Sequence, residues 1–81
     1  MDENDYKIGE NDTIAERIYK LRKRNRMSRD DFAEKVGVTV TSVRNWELER
    51  FIISKASIKK ICDAFDLEMN DIMNEKEMQK D

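Results

Sequence analysis

The chain has 81 residues, 42% of them charged and 38% hydrophobic, with a formal net charge of −2. A length near half that of a typical domain excludes a two-domain enzyme, and a domain this small buries only about 60% of its unfolded surface, which leaves no room for a sizeable internal pocket. With no histidine, no proline and one cysteine, Cys62, the chain cannot build a His/Cys metal cluster, a Cys/His nucleophile pair or an internal disulfide.

No apolar run approaches the length of a membrane span, and Met1-Asp2-Glu3-Asn4-Asp5 is acidic where a secretory signal is basic. The expected location is therefore cytoplasmic, with no membrane partner, no metal and no cofactor.

Residues 1–12 read as an acidic, disordered lead-in, since apolar periodicity is missing from 1–11. Thr13-Ile14-Ala15-Glu16 has the form of a capping box, and Ile14, Ile18 and Leu21 then mark one face of a helix over about 13–25. Ser28-Arg29-Asp30-Asp31 repeats the cap logic. Phe32, Ala33 and Val36 form the stripe of a second helix over about 29–36, and Gly37 supplies its left-handed stop. Thr39 caps a third helix, about 40–48, in which Val43 and Trp46 recur three apart. Only Val38 and Thr39 separate it from Gly37, the pattern of two helices joined by a tight turn.

Ser54 caps a fourth helix, where Ile58, Ile61, Cys62 and Phe65 fit the i, i+3, i+4, i+7 template and make Cys62 a packing residue. Leu67, Met69, Ile72 and Met73 suggest a short fifth helix, followed by a polar tail over 74–81. Nothing alternates as a strand does. The expected fold is all-α: a compact bundle of about five short helices, with the domain spanning 13–73.

Charge is distributed unevenly along this order. Residues 1–12 carry five acids against one lysine, 13–62 carry thirteen Lys plus Arg against six acids, and 63–81 carry seven acids against two lysines. The segment charges are −4, +7 and −5, so a basic middle stands between acidic ends and is where a polyanion would bind. Arg22, Lys23, Arg24 and Arg26 also complement the C-terminal end of the first helix, whose dipole favours cations, so charge alone leaves both readings open.

On the third helix, at about 100° per residue, Val40, Val43, Trp46 and Glu47 share an inward arc, with Thr41, Arg44, Asn45 and Leu48 opposite. The outward set suits base edges: Arg pairs bidentately with guanine, Asn with adenine, and a Thr methyl or Leu meets the thymine methyl. An ordinary solvated helix surface is the alternative. The short glycine turn before the helix favours the first, because a helix-turn-helix projects such a helix from the domain.

The pattern Ile18, Leu21-Arg22, Met27-Ser28, Phe32-Ala33, Val36-Gly37-Val38-Thr39, Val43, Trp46-Glu47, Ile58, Ile61, Phe65 and Leu67 resembles the Cro/CI-type repressor family, the XRE-type helix-turn-helix with its lambda-repressor-like DNA-binding domain, over about 13–73. The resemblance implies five helices, a homodimer on operator DNA and the third helix in the major groove. It implies base reading by Val40, Thr41, Arg44 and Asn45, and phosphate contact by Ser28, Arg29, Ser42, Arg50 and Lys55. It also implies a structural salt bridge between Arg22 and Glu47. The family commonly dimerises through its C-terminal helices, which assigns Met69, Ile72 and Met73 to a dimer or partner contact.

Four departures qualify the match, the first being that the reading positions Val40 and Thr41 are poorer in hydrogen bonds than glutamines, so direct readout is expected to lean on Arg44 and Asn45. Arg29 replaces a usual glutamine, and is expected to strengthen phosphate contact while losing a polar brace. Glu49 replaces a usual glycine; because a non-Gly residue in the left-handed region costs about 1–2 kcal/mol, the third helix is expected to run on past Arg50. Ile53 replaces a usual proline, and Phe51-Ile52-Ile53 either folds onto the core or meets a partner.

The expected function is a sequence-specific double-stranded DNA-binding transcriptional regulator rather than an enzyme, since Asp30 and Asp31 adjoin on one helix and cannot flank a substrate. The alternative is the same fold used as a protein-binding module, such as an antitoxin or bridging factor. The acids from Asp2 to Asp12 either compete weakly with phosphate for the basic face or serve only as a solubilising tail.

Overall fold

The computed structural model describes residues 6–73. Residues 1–5 of the acidic lead-in 1–12 and the whole polar tail 74–81 thus lie outside the described residues. Five helices follow in order: α1 (Ile14–Arg24), α2 (Arg29–Val36), α3 (Val40–Glu47), α4 (Lys55–Phe65) and α5 (Met69–Ile72), and no strand occurs among the described residues.

Each start is written locally. Thr13 and Glu16 form the capping box of α1, with the Thr13 hydroxyl accepting from the Glu16 N–H and the Glu16 carboxylate from the Thr13 N–H. Ser28 and Asp31 do the same for α2, while Thr39 caps α3 through the Ser42 N–H and Ser54 caps α4 through the Ser57 N–H. Such caps satisfy N–H groups that the helix itself cannot, each contributing about 1 kcal/mol.

The helix ends share a device that composition hides. Arg26, Gly37, Glu49 and Asp66 all take positive φ, after α1, α2, α3 and α4 respectively, and only one of them is glycine. The expectation that α3 continues past Arg50 is therefore corrected: α3 stops at Glu47 with Leu48 as its cap, and Glu49 adopts φ 57°. The stop holds because Glu49 N–H donates to Trp46 C=O at 3.2 Å and Arg50 N–H to Asn45 C=O at 2.9 Å. These two bonds satisfy the carbonyls left over at the helix end and offset the strain of a side chain in the left-handed region.

The core forms where the stripes converge. Ile18, Leu21, Phe32, Val43, Ile58, Ile61 and Ile72 are fully buried, and Phe65 stacks on Phe32 with ring centroids 5.3 Å apart. Each such side chain contributes about 1.5–3 kcal/mol by leaving water. α3 packs on α2 and α1, α4 packs on α2, and α5 closes the bundle against α4 and α1. Ile53 is buried, so the apolar run after α3 does fold onto the core at one of its three positions, while Phe51 and Ile52 remain outside.

Two further sequence expectations change here. Ile72 and Met73, assigned to a dimer or partner contact, are core residues of the single chain, and Met69 packs partly buried against the same cluster. A four-residue helix holds its place only by such burial, so its apolar residues are consumed inward. Residues 6–12 lack periodicity, yet they make defined contacts with α1. Gly9 to Asp12 forms a turn, Asp12 N–H bonding Gly9 C=O at 3.2 Å, and Tyr6 lies edge-on to Tyr19 at 6.2 Å.

Candidate nucleic-acid interface

The orientation of α3 is fixed on its inner side by three residues of different chemistry. Val43 and Trp46 are buried among apolar side chains, and the Glu47 carboxylate, 2% exposed, is held by two arginines. Arg22 grips it with both edges of its fork, Nε to Oε2 at 2.7 Å and Nη2 to Oε1 at 3.0 Å, while its Nη1 donates to Met27 C=O at 2.9 Å. Arg29 adds Nε to Oε1 at 3.1 Å. The implied pair is thus a triad, and Arg29 supplies the polar brace that its replacement of glutamine was expected to lose. A bidentate, charge-assisted contact of this kind fixes direction as well as distance, so α1, α2 and α3 are locked in register. The Tyr19 ring lies under the Arg22 guanidinium, 5.4 Å away, and covers the pair further.

With that side fixed, the opposite side of α3 faces outward. Thr41, Arg44 and Leu48 are exposed as expected, but Val40, read as part of the inward arc, is exposed too because it lies on the first turn of α3, and Asn45, read as outward, is half-buried. The four residues assigned to base reading therefore share one helix face, Asn45 at its edge. Their neighbours assigned to phosphate fall on surrounding starts and turns: Ser28 at the start of α2, Ser42 on the first turn of α3, Arg50 after α3 and Lys55 opening α4. Ser28, Arg50 and Lys55 are exposed.

The local chemistry refines two of these positions. Ser28 already accepts the Asp31 N–H and Asp31 already accepts the Ser28 N–H, which leaves the Arg29 and Asp30 N–H groups, together with the rotatable Ser28 O–H, to meet an anion. Ser42, half-buried, shares a 2.9 Å hydrogen bond between its hydroxyl and that of Thr39. Its hydroxyl serves the cap of α3 first. Lys35, on the far end of α2, lies over the Phe65 ring at 5.2 Å and belongs to the core's rim rather than to this face.

One structural residue escaped the sequence reading. Arg17 is 7% exposed, and its guanidinium donates to main-chain carbonyls, those of Asp12, Gly9 and Glu10 on one side and of Asn70 and Asp71 on the other, at 3.0–3.5 Å. It ties the N-terminal segment to α5. The signal was present, because Ile14, Arg17, Ile18 and Leu21 together occupy i, i+3, i+4, i+7, and a charge within an apolar stripe must find partners.

Among the described residues no group of His, Cys, Asp and Glu is arranged to hold a metal ion, and no helix is long and apolar enough to cross a membrane. Cys62 is buried, with its thiol 3.5 Å from Glu68 C=O. Burial, then the carboxylates of Asp71 and Asp63, push its pKa above the ordinary value, so it is an inert packing thiol at neutral pH.

Against known proteins, the family model described as helix-turn-helix matches residues 18–72. No curated protein and no solved structure gives a significant match. The matched stretch runs from within α1 to the end of α5 and covers most of the chain, and the chain belongs to the XRE-type helix-turn-helix family, a family of DNA-binding regulatory domains.

Proposed function

We propose that this helix-turn-helix domain is a sequence-specific transcriptional regulator that binds double-stranded DNA as a homodimer in the cytoplasm, with α3 in the major groove. The observation that carries the reading is the two-sidedness of α3. One side is fixed by Val43, Trp46 and the Glu47 triad, and the other carries Val40, Thr41 and Arg44 exposed, with Asn45 half-buried at its edge. Arg44 and Asn45 bring the hydrogen bonds, Val40 and Thr41 the methyl contacts, and Ser28, Arg29, Ser42, Arg50 and Lys55 position the domain on phosphate. Arg29 serves twice, bracing Glu47 through Nε with a side chain that stays 35% exposed and so open to phosphate. No catalytic role and no cofactor enter the reading.

The test is selection of a preferred duplex from a random pool, followed by Arg44→Ala and Asn45→Ala. Each variant is expected to lose about 1–3 kcal/mol on the selected site and little on random sequence. Unchanged affinity and unchanged preference would remove these residues as readers. A second reading, the fold as a protein-binding module such as an antitoxin or bridging factor, is favoured by the exposure of Phe51 and Ile52. A stoichiometric heterologous partner in native mass spectrometry, without salt-sensitive DNA binding, would select it.

A further inference from the structure

Val40, Arg44 and Leu48 follow one another at intervals of four on the outward side of α3. The Leu48 N–H still donates to Arg44 C=O at 3.0 Å, so the helical path is intact to the last of the three, and residues so spaced form one ridge along a helix. All three are exposed, Val40 at 40% and Leu48 at 46%, with the cation standing between the two apolar side chains. The cap that ends α3 at Leu48 uses main-chain groups and does not itself call for leucine.

We infer that Leu48 is a further specificity-determining residue, which takes a thymine methyl at one end of this ridge while Val40 takes a second methyl at the other. This role rests on the DNA-binding reading above and adds a fifth reader to the four already assigned. Among the base-edge groups of the major groove the thymine C5-methyl is the apolar one, and it lies on the side of the base pair nearest its own strand's backbone. Leu48 stands in sequence between Arg44, assigned to a base, and Arg50, assigned to phosphate, which suits a group at the groove's edge. Arg44 between the two apolar side chains suits guanine, whose N7 and O6 accept a bidentate guanidinium. From Val40 to Leu48 the helix rises ~12 Å, which at ~3.4 Å per base step spans about three to four base pairs. The expected half-site therefore holds a guanine with a thymine on each side of it, on either strand, the two methyls within about four base pairs of each other.

The test starts from the preferred duplex selected out of a random pool. Each thymine of one half-site is replaced in turn by deoxyuridine, which removes the methyl and leaves base pairing intact, and the affinity of the full chain is read by anisotropy. Loss of one buried methyl is expected to weaken binding about fourfold, at a thymine on each side of the guanine. Leu48→Ala and Leu48→Gln are expected to become indifferent to deoxyuridine at one of these thymines and to keep the loss at the other, and Val40→Ala to show the reverse. Because the Leu48 side chain is nearly half in solvent and the cap is a main-chain one, both Leu48 variants are expected to keep the parent's thermal melt within a few degrees. The deoxyuridine scan on the parent protein needs no variant at all. A selected site with no thymine beside its guanine, a scan without loss, or losses that persist unchanged at every position in both Leu48 variants would overturn the role of Leu48 and leave DNA binding standing. A chain that selects no duplex would overturn both.

Discussion

Two buried arginines, five residues apart on α1, solve the same problem in different ways. Arg22 meets a carboxylate through both edges of its fork and thereby fixes the outward-facing helix, whereas the hydrogen bonds of Arg17 run to main-chain carbonyls and fix a segment with no periodicity of its own. Five helical residues turn about 140°, so the two guanidinium groups leave the apolar stripe on different sides. The difference shows that an ion pair is needed where direction matters, since a fork on a carboxylate sets an angle. Carbonyl dipoles suffice where a segment has only to be held down. Tyr6 on Tyr19, itself under Arg22, joins the two regions.

The strongest way to break the first region is Glu47→Ala, which leaves Arg22 buried without its counter-charge and is expected to cost about 3–5 kcal/mol in urea denaturation. If the loss were under about 1 kcal/mol, the triad would be decoration rather than a lock. Arg17→Met keeps the apolar stem and removes the donors, and about 1–3 kcal/mol should follow. Hydrogen exchange should accelerate at Gly9 to Asp12 and stay unchanged along α3, which is what separates the two regions.

Glu49→Gly relieves the left-handed strain just beyond the Glu47 triad. A gain of about 1 kcal/mol is expected, since the strain removed exceeds the flexibility added to the unfolded chain. A loss would mean that the Glu49 side chain makes a compensating contact.

The smallest effect concerns pH in the second region. Asp12 lies below the ordinary carboxyl value, chiefly because Lys20 Nζ donates to it at 2.8 Å and then because Gly9 N–H donates at 2.6 Å. A depressed pKa stabilises the fold above the usual carboxylate range and stops doing so as pH falls through the lowered value. Asp12→Asn should flatten the acid limb of a stability profile slightly.

Most of the helix map was legible because its signals are local. Thr13, Ser28, Thr39 and Ser54 cap where they stand, Gly37 stops α2, and the apolar stripes lie at helical spacing. The ends of α1, α3 and α4 were harder, since Arg26, Glu49 and Asp66 reach the left-handed region through the hydrogen bonds around them rather than through side-chain type. The Arg22–Glu47 pair became legible only through the family resemblance, being 25 residues apart in sequence. The Arg29 brace and the Arg17 clamp escaped because each guanidinium is equally suited to phosphate, carboxylate and carbonyl, and only the fold decides which it meets. Ile72 and Met73 looked surplus to a short helix until the bundle claimed them.

The account turns on whether the surface around α3 binds DNA at all. Anisotropy of a labelled random-sequence duplex, titrated with the protein at about 50 and 200 mM salt, tests this directly, since neutralised phosphates release counterions and make affinity fall steeply with salt. Binding that weakens by the amount expected for several phosphate contacts is the predicted result. No binding even at the lower salt would contradict it.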